Sequence, residues 1–154
     1  MAVPLNKWFG FFFLIYCFLL LLGTLWPLDF QAGGPYLIIK LKGVEWIPFD
    51  YLCPRCGIDY KDYLLNFFMF IQFGFLLSSL MMRDKPNLHL ALRTTLYGFL
   101  FSLSIESSQI FLPSRRTQAS DILFNCIGTM VGSAVLFPFF RFTREDEVRR
   151  DEIP

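Results

Sequence analysis

Charge is scarce in this sequence. Only 18% of its 154 residues are Asp, Glu, Lys or Arg, against about 25% in soluble domains. The 14 basic and 13 acidic residues leave a formal net charge of +1, so there is no basic footprint for nucleic acid, and none is expected as a partner. Histidine occurs once and cysteine four times, which excludes a disulfide-dense secreted scaffold and leaves little for metal sites. In place of charge there is hydrocarbon: 55% apolar residues, with 20 phenylalanines. Soluble domains run at about 45–50% apolar, and disordered chains far lower. The composition is that of a small membrane protein.

Four apolar runs separate along the chain: Trp8–Trp26, Tyr63–Met82, Thr94–Leu112 and Ile122–Phe140, each 19 or 20 residues long. About 20 helical residues at ~1.5 Å rise cross a hydrocarbon layer of ~30 Å. The runs make up half the chain yet contain one charged residue, Glu106. Lipid enforces such segregation, because a charge at the bilayer centre costs roughly 2.5–3.5 kcal/mol or more. Among open segments, only helices satisfy their own backbone there. The expected fold is therefore all-α integral membrane: a four-helix transmembrane bundle with a partly interfacial first extracytoplasmic loop. Residues 1–140 form a single transmembrane domain with helices at about 8–26, 63–82, 94–112 and 122–140, and 141–154 form a charged tail. The first run is longer than the 7–15-residue core of a secretory signal and lacks a nearby small-x-small cleavage site, so it reads as an uncleaved helix. Eight basic residues on one side against six on the other favour both termini in the cytoplasm.

Four helices joined by short turns alternate in direction, so the 26–63 and 112–122 connections share one membrane face. Polar side chains gather at that face. Asp62 and Asn66 open the second helix at i, i+4, and Asp121 and Asn125 open the fourth with the same spacing. Glu106 and Gln109 close the third, and Arg115 and Arg116 lie in the turn after it. Glu106 is the candidate catalytic acid or base, with Asp121 orienting it; Asp62, Asn66, Gln109, Arg115 and Asn125 are candidate binding residues. The bland alternative stays open. Asp62 and Asp121 suit helix N-termini, and the amides suit interhelical bonds worth on average ~0.6 kcal/mol. An intramembrane carboxylate is a functional candidate by default, and Arg115 or Arg116 is its expected partner. Gly74, Gly128 and Gly132 are expected to let helices approach closely, within the bundle in preference to a dimer.

Cys53 and Cys56 form one C-x2-C in the first loop. A structural zinc site takes four ligands and no second pair follows, so no metal and no cofactor is expected. An extracytoplasmic loop permits a disulfide between the two, structural or labile. The segment Tyr36–Lys42 reads as strand-like or interfacial, and Trp46, Phe49 and Tyr51 suit the headgroup belt. The loop is expected to lie over the polar cluster as a lid.

Several stretches together resemble the VanZ-like family of small bacterial membrane proteins. They are Trp46-Ile-Pro-Phe49, Asp62-x3-Asn66-x3-Phe70-x3-Gly74-Phe75, Glu106-x2-Gln109-x5-Arg115, and Asp121-x3-Asn125-x2-Gly128-x3-Gly132. Two positions depart from the family pattern: Gln72, where proline is frequent, and Gln118 with Ser120, where acidic residues are. The resemblance implies a multi-pass protein of the bacterial cytoplasmic (inner) membrane and a link to low-level resistance to teicoplanin, a lipid-tailed glycopeptide. It implies no defined reaction.

Two function classes follow. In the first, an outer-leaflet site binds or modifies an amphiphilic cell-envelope molecule, lipid-linked or lipid-tailed, with Arg115 taking a phosphate through charge-assisted bonds. In the second, the chain is a non-catalytic membrane subunit or assembly factor, and the cluster locks the bundle. No Ser–His pair, phosphate loop or complete metal set argues for an enzyme. A transporter is disfavoured, since one carboxylate on one side provides no relay and no repeat provides alternating access.

Overall fold

The structure, a computed structural model, describes residues 7–48, 60–82 and 86–136. Among them are five helices and no strand: α1 (Lys7–Leu25), α2 (Gly34–Lys42), α3 (Tyr60–Met81), α4 (Leu88–Gln109) and α5 (Ala119–Ala134). Two of these, over Lys61–Met81 and Leu88–Gln109, are long and apolar enough to cross a membrane. In α1 the apolar stretch is shorter, Phe9–Leu25.

Helix limits follow local chemistry more than hydropathy. α4 begins six residues before the apolar run at Thr94, because extended Asn87 caps it, its side chain accepting the Leu90 N–H at 2.8 Å. α2 occupies the segment expected to be strand-like or interfacial, and it is helical. It has Pro35 in its first turn, where the missing N–H costs nothing. It stops at Gly43, whose N–H donates to the carbonyls of Ile39 and Lys40. Lys40 and Lys42 in its last turn suit the negative end of the helix dipole.

Packing is inside-out by the standards of a soluble domain. Among the described residues, buried polar side chains outnumber buried apolar ones, while Phe12, Leu14, Phe18, Leu65 and Phe68 are all more than half exposed. The apolar core is small: Leu20, Phe70, Phe73 and Ile105, flanked by Phe13 and Phe101. Phe73 and Phe101 stack with centroids 5.0 Å apart. This cluster docks α1 against α3 and α4, aided by the Tyr16 hydroxyl, which donates to the Met69 carbonyl.

The closest pair is α3 and α5, which approach backbone to backbone. A Cβ at Gly74 would collide with the Thr129 carbonyl, one at Gly128 with the Phe67 carbonyl oxygen, and one at Gly132 with that of Ile71. All three glycines thus lie where the backbones of α3 and α5 approach most closely. On the other side of α5, Gly98 of α4 leaves room for the Thr129 side chain. At the end of the bundle near the α3–α4 connection, Ser78 shares hydrogen bonds with Thr94 (2.9 Å) and Ser133 (2.7 Å). These three helices are therefore fixed by small residues and buried hydroxyls.

Candidate functional site: a carboxylate mouth at the start of α5

The 110–118 turn between α4 and α5 is the organising element of the opposite end. The chain segment after α1 crosses over it and is pinned at four points. The Gln31 N–H donates to the Phe111 carbonyl at 2.7 Å, and the Tyr36 hydroxyl to that of Ile110 at 3.2 Å. Lys40 Nζ donates to the carbonyls of Leu112 and Arg115. Finally, Glu45 pairs with the turn as a short parallel bridge: its N–H meets the Thr117 carbonyl at 3.2 Å, and its carbonyl accepts the Ala119 N–H at 2.9 Å. Burial pushes the Lys40 ammonium below its ordinary pKa, with Asp29 opposing part of the effect. The segment over the turn is thus a helix and a bridge, held by backbone and side-chain hydrogen bonds to the backbone of the turn.

Beneath it lies Glu106, 3% exposed. Its Oε2 accepts the backbone N–H of Gln118 at 3.1 Å, and Gln118 is the N-cap residue of α5. A carboxylate from α4 therefore sits at the positive end of the α5 dipole, where the helix's own cap contributes no side-chain bond. Asp121, in the first turn of α5, is close enough to interact electrostatically with Glu106. It also takes a side-chain hydrogen bond from Asn66 of α3 and feels the charges of Asp62 and Glu45. One turn further along α5, Asn125 Nδ2 donates to Ser102 Oγ of α4 at 2.8 Å. Three buried oxygens have no partner among the described residues: Thr117 Oγ1, Asp121 Oδ1 and Asn125 Oδ1. Buried polar oxygens left in this state cost about 1–3 kcal/mol each; two of the three, the Asp121 carboxylate and Asn125 amide oxygens, are acceptors, and the third is a hydroxyl.

The two remaining sequence candidates face elsewhere. Arg115 Nε donates to the Trp26 carbonyl at 3.0 Å and its Nη2 to the Gly23 carbonyl at 2.9 Å. Gln109 Nε2 donates to the Thr24 carbonyl at 3.1 Å. Together they cap the carbonyls that α1 leaves unpaired at its C-terminus. The expected pairing of Glu106 with Arg115 or Arg116 does not occur. Asp62 is exposed at the start of α3, and Asn66 is half-buried beside Asp121. Cys53 and Cys56, with Phe49 and Tyr51, lie outside the described residues; Cys17 and Cys126 are free thiols. Among the described residues no group of three or more His, Cys, Asp or Glu side chains could hold a metal ion.

Sequence reasoning missed Ser102, Thr117 and Tyr63. Ser102 is signalled by its i−4 spacing from Glu106. Tyr63 stacks on Phe124 with centroids 5.2 Å apart and donates to Gln118 Oε1 at 3.1 Å, closing the mouth between α3 and α5. Thr117 gives no sequence signal, since its burial depends on the bridge to Glu45.

The VanZ/LLP1 family model matches residues 13–141. The chain belongs to the VanZ/LLP1 family. No curated protein and no solved structure matches it. In this VanZ/LLP1 chain, Glu106, Asp121, Asn66 and Asn125 converge from three helices, whereas Gln109 and Arg115 secure the fourth.

Proposed function

We propose that this VanZ-like chain is a multi-pass protein of the bacterial inner membrane with both termini in the cytoplasm. Its outer-face mouth binds or modifies the headgroup of an amphiphilic cell-envelope molecule. Membrane residence is supported by the two long apolar helices, whose apolar windows are only 22% and 33% buried. Apolar surface so continuous suits lipid tails and not water. α1 and α5 complete four spans in this reading, and residues 137–140 of the fourth apolar run lie outside the described residues. The interfacial lid exposes Ile38, Ile39, Trp46 and Ile47, side chains that suit the headgroup boundary.

The observation that carries the site is buried Glu106 beside half-buried Asp121, with the buried oxygens of Asp121, Asn125 and Thr117 unpartnered among the described residues. With Lys40 and Arg115 engaged by backbone carbonyls, the mouth offers acceptors, and among the described residues the lid and turn add only Arg116 and Lys42 as further cations. Its chemistry favours a donor-bearing headgroup, an amine or sugar hydroxyls, over the phosphate expected from Arg115. In the modifying form of this reading, Glu106 is the general acid or base and Asp121 orients it. Resistance to a lipid-tailed glycopeptide such as teicoplanin is the phenotype proposed on family grounds.

The test is binding of teicoplanin, and of the same glycopeptide without its acyl chain, to the purified full-length protein in detergent. Saturable binding that needs the tail, and that weakens in Asp121→Asn, supports the site. Equal binding to empty micelles rejects it. One observation favours the second reading, a structural lock: Glu106 already spends an oxygen on the Gln118 amide. Under that reading the chain is a membrane subunit or assembly factor, and Glu106 variants lose protein level and activity together.

A further inference from the structure

Gln72 is a polar side chain of α3 whose position neither packing nor the mouth accounts for. It stands near the midpoint of α3, ~18 Å along the axis from Tyr60 at ~1.5 Å per residue. It is exposed, and no hydrogen bond to it occurs among the described residues. The outward stripe of α3 runs through it: Leu65 is 58% and Phe68 59% exposed, giving positions 65, 68 and 72 at i, i+3, i+7. Beside it a shallow apolar groove of about 460 Å³ is lined by Ile71, Phe75, Leu76 and Val135.

We propose that this face of α3 is a homodimer interface within the bilayer, with two copies pairing their Gln72 amides across a two-fold axis. Lipid tails offer an amide nothing, and an unpaired amide in hydrocarbon costs several kcal/mol. A primary amide carries both donor and acceptor, so its own copy across a two-fold axis closes two bonds at once. A second copy is therefore the partner with matching chemistry, and a single polar residue in an apolar seam also fixes the register of the pair. The groove gives apolar side chains of the second α3 a seat next to the amide. This inference rests on the multi-pass membrane reading above.

The experiment is single-molecule photobleaching of the full-length chain in liposomes over a range of protein densities, for wild type, Gln72→Leu and Gln72→Asn. The proposal expects wild-type dimers, a dissociation constant about 3- to 30-fold higher for Gln72→Leu, and dimers retained in Gln72→Asn. Wild type that stays monomeric at every density, or Gln72→Leu that associates as tightly as wild type, overturns it. A monomeric wild type would leave a different membrane protein as the occupant of this face. Alkaline carbonate extraction separates the two failures: a chain that washes off the membrane overturns the membrane reading itself, whereas a monomer that resists extraction overturns only the dimer.

Discussion

Glu106 Oε2 lies 3.1 Å from the backbone nitrogen of Gln118, the residue that caps α5. The bond ties the end of one helix to the start of the next across a short turn, and it places a buried carboxylate against the helix N-terminus that best tolerates one. Asp121 stands in the first turn of the same helix. The two acidic side chains therefore share one dipole end, and the environment that holds Glu106 in place also holds Asp121 near it.

Arg115 should behave as a structural residue. Replacing it with Met removes two hydrogen bonds to the Gly23 and Trp26 carbonyls. For these partly exposed contacts the loss is about 1–2 kcal/mol of stability. Thermal unfolding of the purified variant in detergent should shift downward, while binding per folded molecule stays at the wild-type level. Unchanged unfolding with lost binding would return Arg115 to the ligand.

The glycines divide into two groups that a Gly→Ala series separates. Gly74→Ala and Gly132→Ala each press a methyl group into backbone of the facing helix. Overpacking of this kind costs about 1–3 kcal/mol or more, read as reduced membrane abundance. Gly10 and Gly23 of α1 have nothing within 4 Å of an added Cβ. Alanine there should be neutral or stabilising by about 0.5–1 kcal/mol.

The lid makes a kinetic prediction. Amide protons of Gln31, Glu45 and Ala119, all donated to backbone carbonyls, should exchange slowly in the wild-type protein. Lys40→Met removes the bonds from Nζ to Leu112 and Arg115 and should speed exchange at these sites by about tenfold, the equivalent of ~1.4 kcal/mol. Uniformly fast exchange in wild type would mean that the lid is open.

Much of this was readable from residue spacing. The i, i+4 pairs Asp62/Asn66 and Asp121/Asn125 predict a polar cluster at one end of the helices, and the glycine face of α5 predicts a close helix approach; the structure puts that approach against Phe67 and Ile71 of α3. Partner choice was less readable. Opposite charge suggests that Glu106 pairs with Arg115, but sequence does not show that α1 ends within reach of the arginine with its carbonyls unpaired. The helix α2 was also missed. The alternation in Leu-Ile-Ile-Lys-Leu-Lys suggests extended chain, whereas the informative signals were Pro35 at the start and Gly43 at the end. The burial of Thr117 depends on the bridge to Glu45, which local patterns do not encode.

The most direct test of the account is a paired measurement on Glu106→Gln in a deletion strain: membrane abundance, and sensitivity to glycopeptide or cell-envelope stress. Glutamine keeps an acceptor for the Gln118 amide and removes only the ionisable group. The account predicts wild-type abundance with the protective phenotype lost. Wild-type abundance with the phenotype intact would contradict it, and a parallel fall in both would assign Glu106 to the lock that joins α4 to α5.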